Sequence, residues 1–118
     1  MAGTLRTSET QAAYDAVLAA KDPSAPCPLC AAETLHAFRE WRIIANMFPY
    51  DRIAAVHHLL LPNRHVEEDE FTESEKEELR SIKDSYAAEQ YQFFIEPVKG
   101  RKTVPGHMHL HLVVVKEQ

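Results

Sequence analysis

Apolar and polar residues alternate through the last segment of the chain, His107-Met108-His109-Leu110-His111-Leu112-Val113-Val114-Val115. A period of two is that of a β-strand, in which residues two apart share a face. The spacing predicts a strand with His107, His109 and His111 on one surface and Met108, Leu110, Leu112 and Val114 as its apolar backing. Near the start, Ser8-Glu9-Thr10-Gln11 reads as a helix cap, and Tyr14, Val17 and Leu18 give a stripe to about Ala20. Asp22-Pro23-Ser24-Ala25-Pro26 breaks that helix. A strand is predicted around Trp41 to Met47, a turn at Pro49-Tyr50-Asp51, and a buried strand over the apolar run Val56 to Leu61, ended by Pro62-Asn63. Thr72-Glu73-Ser74-Glu75 is a capping box opening one long helix to roughly Gln90, with Leu79, Ile82 and Tyr86 on one face. Phe93-Phe94-Ile95 reads as a further strand, and a loop through Gly100 and Gly106 leads to the histidine segment.

The order α-β-β-α-β-β groups strands in contiguous pairs. That favours an α+β fold with a mainly antiparallel sheet, an N-terminal helix and one long helix. At 118 residues the length fits a single domain over 1–118, with 1–26 as N-terminal helix and linker and 27–115 as core. Neither a repeat nor a low-complexity tract interrupts it. The formal charge of −5 argues against a general nucleic-acid coat protein but leaves a single nucleotide open as ligand. No stretch approaches the roughly 20 apolar residues that span a bilayer, and Met1 to Thr7 lacks a signal-peptide core. A cytoplasmic protein without membrane contact is expected. In a reducing compartment Cys27 and Cys30 suit a metal or redox site better than a structural disulfide.

Three of the seven histidines fall within five residues, and adjacent imidazoles serve packing poorly because every ring needs polar partners. Two kinds of chemistry fit the row. A neutral imidazole is a nucleophile toward phosphorus near pH 7 and forms a covalent phosphoramidate, while flanking rings donate to phosphoryl oxygens. Alternatively His-x-His presents two ligands to zinc, and a third ligand leaves an open catalytic position. Cys27-Pro28-Leu29-Cys30 offers two thiolates at a spacing that lets both meet one tetrahedral ion. With no second such pair, a zinc there must take two ligands from elsewhere, and His65 and one histidine of the row are the natural candidates. Buried neutral thiols are the plain structural alternative.

The run His107 through Val113 matches, position by position, the His-φ-His-φ-His-φ-φ signature (φ apolar) of the histidine triad superfamily of nucleotide hydrolases and transferases. Upstream, Asn46-Met47-Phe48-Pro49-Tyr50 and His57-His58-Leu59-Leu60-Leu61-Pro62-Asn63-Arg64-His65-Val66 resemble that family's Asn-containing strand and its His-apolar-Pro-x-x-His segment. Thr103-Val104-Pro105 resembles the Ser/Thr-Val run before the triad, so the likeness covers roughly residues 27 to 115. The resemblance implies that His109 is the nucleophile accepting a nucleoside monophosphate, that His111 contacts the phosphate, and that His57 lies against the triad strand and orients it. It implies Asn46 at the ribose and the Thr103 hydroxyl near the leaving-group oxygen. It also implies a structural zinc on Cys27, Cys30, His65 and His107, and a homodimer. The substrates implied are a nucleoside phosphoramidate, a dinucleoside polyphosphate or a nucleotide conjugate. His36 and His58 are assigned no role, and His58 falls on the strand face opposite His57.

The chain also departs from that pattern. Glu96 to Lys102 lacks the usual Gly-Gln pair, Gly106 is an additional residue before the triad, and the segment from Tyr50 to His57 is longer, with Val56 where Gly is common. These changes fall on loops expected to shape the nucleotide pocket, and Lys99, Arg101 and Lys102 offer cations to an anionic leaving group. The rival activities are a hydrolase whose catalytic zinc is held by the triad itself, and a nucleotide-binding protein or scaffold without turnover.

Overall fold

A computed structural model describes residues 3–98 and 106–117. It is an α+β arrangement around one antiparallel sheet. The sheet has five strands: β1 (His36–Ala37), β2 (Trp41–Ala45), β3 (Ala54–Pro62), β4 (Phe93–Ile95) and β5 (Leu110–Val115), in the spatial order β1-β2-β3-β5-β4. Every neighbouring pair is antiparallel. The register places Ile43 opposite Leu60 and Leu60 opposite Leu110, so one face carries Trp41, Ile43, Leu60, Leu110 and Leu112. Helices α3 (Glu73–Asp84) and α4 (Tyr86–Gln90) cover this face through Ile82 and Ala87, and Met108, Val66 and Phe71 complete the core. Trp41 is fully buried, and its indole N–H donates to the Glu75 carbonyl at 2.9 Å, which satisfies the one polar group the ring brings inside.

The opposite face carries the candidate site. Ile44, Leu59 and Leu61 form a second apolar cluster there under Leu29 of the short helix α2 (Pro28–Ala31). His57 pairs with Val113 and Leu59 with His111, so His57 and His111 are diagonal neighbours on that same face. Of the apolar backing of the histidine row, Met108, Leu110 and Leu112 lie in the core as the alternation predicts, and Val114 is half-buried.

Several boundaries differ from the sequence expectation, each for a local reason. The N-terminal helix α1 (Ser8–Ala19) is capped by Thr7, whose hydroxyl accepts from the Thr10 amide, and Ser8 is its first helical residue. Gln11 does not reach back to the cap; it takes the Thr4 hydroxyl proton at 2.7 Å and donates to Asp15 at 2.8 Å. The capping box at Thr72 and Glu75 forms as read. The long helix to Gln90 forms with a bend at Ser85 (φ −120°, ψ −85°) that divides it into α3 and α4, and there the Ser85 hydroxyl donates to the Ser81 carbonyl at 2.6 Å. That side-chain bond to a carbonyl four residues back is a known source of helix bending. β2 stops at Ala45 because the Asn46 side chain accepts from the Phe48 amide at 2.8 Å and turns the chain. β5 begins only at Leu110, so His107 and His109 precede the regular strand. The two smallest elements, α2 and β1, have too few residues to show a period. Among the described residues no helix is long and apolar enough to cross a membrane.

Candidate functional site

Cys27, Cys30, His65 and His107 converge, with one ligand atom from each lying within 4.8 Å of the others. The thiols come from α2, where Pro28 at the first helical position starts the turn and leaves Cys27 as its cap. Arg42 fastens this turn from β2, its guanidinium donating to the carbonyls of Leu29 at 2.5 Å and Ala32 at 2.7 Å. His65 follows the end of β3 and His107 precedes β5, so the sheet brings the two imidazoles side by side with ring centroids 4.9 Å apart. Both point Nδ1 at sulfur: His65 to Cys30 at 3.3 Å, and His107 to Cys30 at 3.4 Å and Cys27 at 3.7 Å. A tetrahedral zinc with metal–sulfur bonds of about 2.3 Å and metal–nitrogen bonds of about 2.0 Å needs sulfur–nitrogen edges of about 3.5 Å. The donor set therefore fits a metal ion.

The tautomer of His107 fits as well. Its Nε2 lies 3.0 Å from the Pro62 carbonyl, which can only accept, so the proton sits on Nε2 and the lone pair on Nδ1 faces the thiols. Burial holds His107 below the ordinary imidazole range, leaving it neutral as a ligand must be.

The other imidazoles form a row in which each proton can be placed. The Tyr50 amide donates to His57 Nδ1 at 2.9 Å, so the proton of neutral His57 is on Nε2. That Nε2 lies 2.7 Å from His111 Nδ1, which must then accept. The proton of His111 is consequently on Nε2, which faces the Tyr50 hydroxyl at 3.4 Å. Burial is the main cause that pushes His57 down to about 4 and His111 to about 3, with Arg6 adding to both, so the pair stays neutral near pH 7. His109 differs. Its Nδ1 lies 3.0 Å from the His107 carbonyl, so Nδ1 carries the proton and the lone pair is on Nε2. All three of His57, His109 and His111 are buried.

The predicted residues thus separate into two groups, with His107 in the metal cluster and His57, His109 and His111 in the row. Asn46 borders the row: its Nδ2 is 3.3 Å from His57 Nε2, which already donates to His111, while its Oδ1 is engaged by Phe48. His58 lies on the helix-covered face and meets the Tyr91 hydroxyl at 2.7 Å, and His36 stacks on Tyr86. Thr103, with Lys99, Arg101 and Lys102, lies outside the described residues.

Three contributors carry no signal in a linear pattern. Tyr50 stacks on His111 with ring centroids 4.9 Å apart and planes at 19°. Arg6 stands over Tyr50 at 5.0 Å and over Tyr14 at 4.3 Å, with its Nε donating to the Phe48 carbonyl at 2.7 Å. Arg42 supports the cysteine turn from below. A turn tyrosine and two isolated arginines acquire these roles only through contacts distant in sequence. Neither a protein-family model nor a curated protein matches the chain.

Proposed function

We propose that this chain is a nucleotide hydrolase or transferase of the histidine triad type, working through a nucleotidyl-His109 intermediate. The observation that carries this reading is the opposed protonation of neighbouring rings. His109 presents an unprotonated Nε2, while His111 presents a protonated one, and their ring centroids are 5.4 Å apart. A nucleophile beside a hydrogen-bond donor is what attack on phosphorus requires. His109 Nε2 attacks the α-phosphorus of a nucleoside phosphoramidate, dinucleoside polyphosphate or nucleotide conjugate. A P–N bond forms as the bond to the leaving group breaks, and the leaving group takes up a proton from water, for which the Thr103 hydroxyl is the proposed relay. Water, or another acceptor in a transferase, then cleaves the P–N bond and releases the nucleoside monophosphate. His57 holds His111 in the donor tautomer.

The metal would be zinc, held by Cys27, Cys30, His65 and His107. Bound, it would tie the α2 turn to the chain entering β5 and supply no chemistry to the transfer step. This assignment is favoured over a triad-held catalytic zinc because His107 turns its Nδ1 lone pair to the thiols and His111, accepting from His57 on Nδ1, carries its proton on Nε2, so two of the three triad rings have no lone pair to offer such an ion. For the homodimer, β4 offers an edge strand with exposed Phe93 and Phe94.

The deciding experiment is intact-protein mass spectrometry after mixing with a panel of nucleoside phosphoramidates, dinucleoside polyphosphates and nucleotide conjugates. The wild type acquires a nucleotidyl mass. His109→Ala acquires none, loses at least about a thousandfold in turnover, and keeps its metal. Metal loss in His109→Ala would favour a catalytic zinc. Wild-type binding with neither adduct nor turnover would leave a nucleotide-binding protein.

A further inference from the structure

The turn after β2 places Tyr50 against His111, and the contact is more than packing. The Tyr50 oxygen and His111 Nε2 are 3.4 Å apart. Hydrogen bonds of this type usually span about 2.7–3.2 Å, so the imidazole N–H is poorly used by the hydroxyl. Two donors at this separation can both reach one oxygen atom placed about 2.8 Å from each. An acceptor oxygen that takes the His111 proton can therefore take the Tyr50 proton as well.

The hydroxyl is also held in place. The Tyr50 amide is fixed on His57 Nδ1, and its carbonyl accepts from Ile53 at 3.0 Å and Ala54 at 2.8 Å. Its ring meets His57 and His111, with centroids 4.5 Å and 4.9 Å away, and the Arg6 guanidinium, itself anchored on the Phe48 carbonyl and Tyr14. A cation against an aromatic face adds attraction and costs the ring its freedom to swing away. Burial pushes the Tyr50 hydroxyl up, so it keeps its proton across the neutral range and remains a donor.

We propose that the Tyr50 hydroxyl is a catalytic hydrogen-bond donor to a non-bridging phosphoryl oxygen, paired with His111 Nε2–H, and that Arg6 is the positioning residue behind it. This deepens the preceding reading and rests on it. The two donors form an oxyanion site whose second member comes from the turn after β2. As charge builds on the phosphoryl oxygens during attack by His109, both bonds strengthen, and Tyr50 stays protonated throughout.

The test is Tyr50→Phe, which keeps the buried ring and its stack and removes only the oxygen. Binding of adenosine 5′-monophosphate and of adenosine is followed by the ring nitrogen signals of His109 and His111 in NMR. Adduct formation is followed in single turnover with an adenosine 5′-phosphoramidate. The variant should bind the monophosphate about tenfold more weakly, bind adenosine as the wild type does, and form adduct about 10- to 100-fold more slowly. Its free-state His57 signals should be unmoved, with a change confined to His111 Nε2–H. Arg6→Gln should shift the His111 Nε2–H signal and slow adduct formation less, with Arg6→Lys restoring part of the rate. Monophosphate affinity and adduct rate within twofold of wild type would overturn the proposal, and so would an equal loss of adenosine affinity. A wild type that binds the monophosphate without forming adduct would instead sink the covalent reading alone.

Discussion

Gly106 has φ +86°, and a Cβ placed there would stand 3.1 Å from His65 Nε2. Two residue-scale demands therefore meet at one position. The backbone sits where an L side chain is strained, and the space belongs to a candidate metal ligand. Gly106→Ala is expected to cost roughly 1–2 kcal/mol from backbone strain. Displacing His65 should also weaken metal binding by about tenfold, as disturbing the surroundings of a ligand commonly does. Competition against a metallochromic chelator, alongside a urea titration, checks both effects; unchanged metal affinity would show that His65 is not a ligand. In sequence Gly106 is only an extra residue before the triad. Its conformation follows from the chain having to turn beside His65 before Met108 bonds its amide to the Val66 carbonyl at 2.8 Å.

At the scale of an element, helix α1 fully buries none of its own residues, and beside the contact of Tyr14 with Phe48 at 5.0 Å its docking is polar. Asp51, on the turn beside Tyr50, accepts from the Thr7 amide at 2.7 Å, the Thr7 hydroxyl at 3.0 Å and the Thr10 hydroxyl at 2.5 Å. The Thr10 bond is the largest cause that holds the Asp51 carboxyl down at about 2, against an ordinary value of 3.8. A depressed carboxyl pKa gives stability that is full above the unfolded value and disappears as pH falls through the folded one. Protection of the α1 amides against hydrogen exchange should thus persist above about pH 4 and decline toward pH 2. In Asp51→Ala it should be lost at every pH while the β3 and β5 amides stay protected. Equal α1 protection in that variant would refute Asp51 as the anchor. The helix itself was legible from its polar start and apolar stripe. Its partner was not, because Asp51 reads as an ordinary turn residue until a segment 41 to 44 residues away arrives against it.

Across the whole molecule, the candidate metal cluster joins α2, the end of β3 and the approach to β5, three regions that the chain separates by 35 to 80 residues. Removing the ion should unfasten these connections while leaving the β3–β5 ladder paired. Chelation is expected to lower Tm by roughly 10 °C, about 2 kcal/mol of coupling for a chain of this size. Cys27→Ser should start from the lower Tm and not respond to chelator. Identical melting with and without chelator in the wild type, together with metal retained in Cys27→Ser, would rule the cluster out.

Sequence alone determined what local physics encodes. The period of two placed β5 with its buried Leu110 and Leu112, and Met108 just before it; the capping box at Thr72 and Glu75 opened α3; and the apolar run before Pro62 became β3. It also supplied the metal donors and the row of imidazoles. Which proton each imidazole carries was decided only by tertiary structure, through the Pro62 and His107 carbonyls and the Tyr50 amide. An imidazole's tautomer is fixed by the partner across from it, and those partners come from other strands and turns. The same holds for Tyr50 and Arg6, whose meaning is a position in a stack, and a stack has no period along the chain.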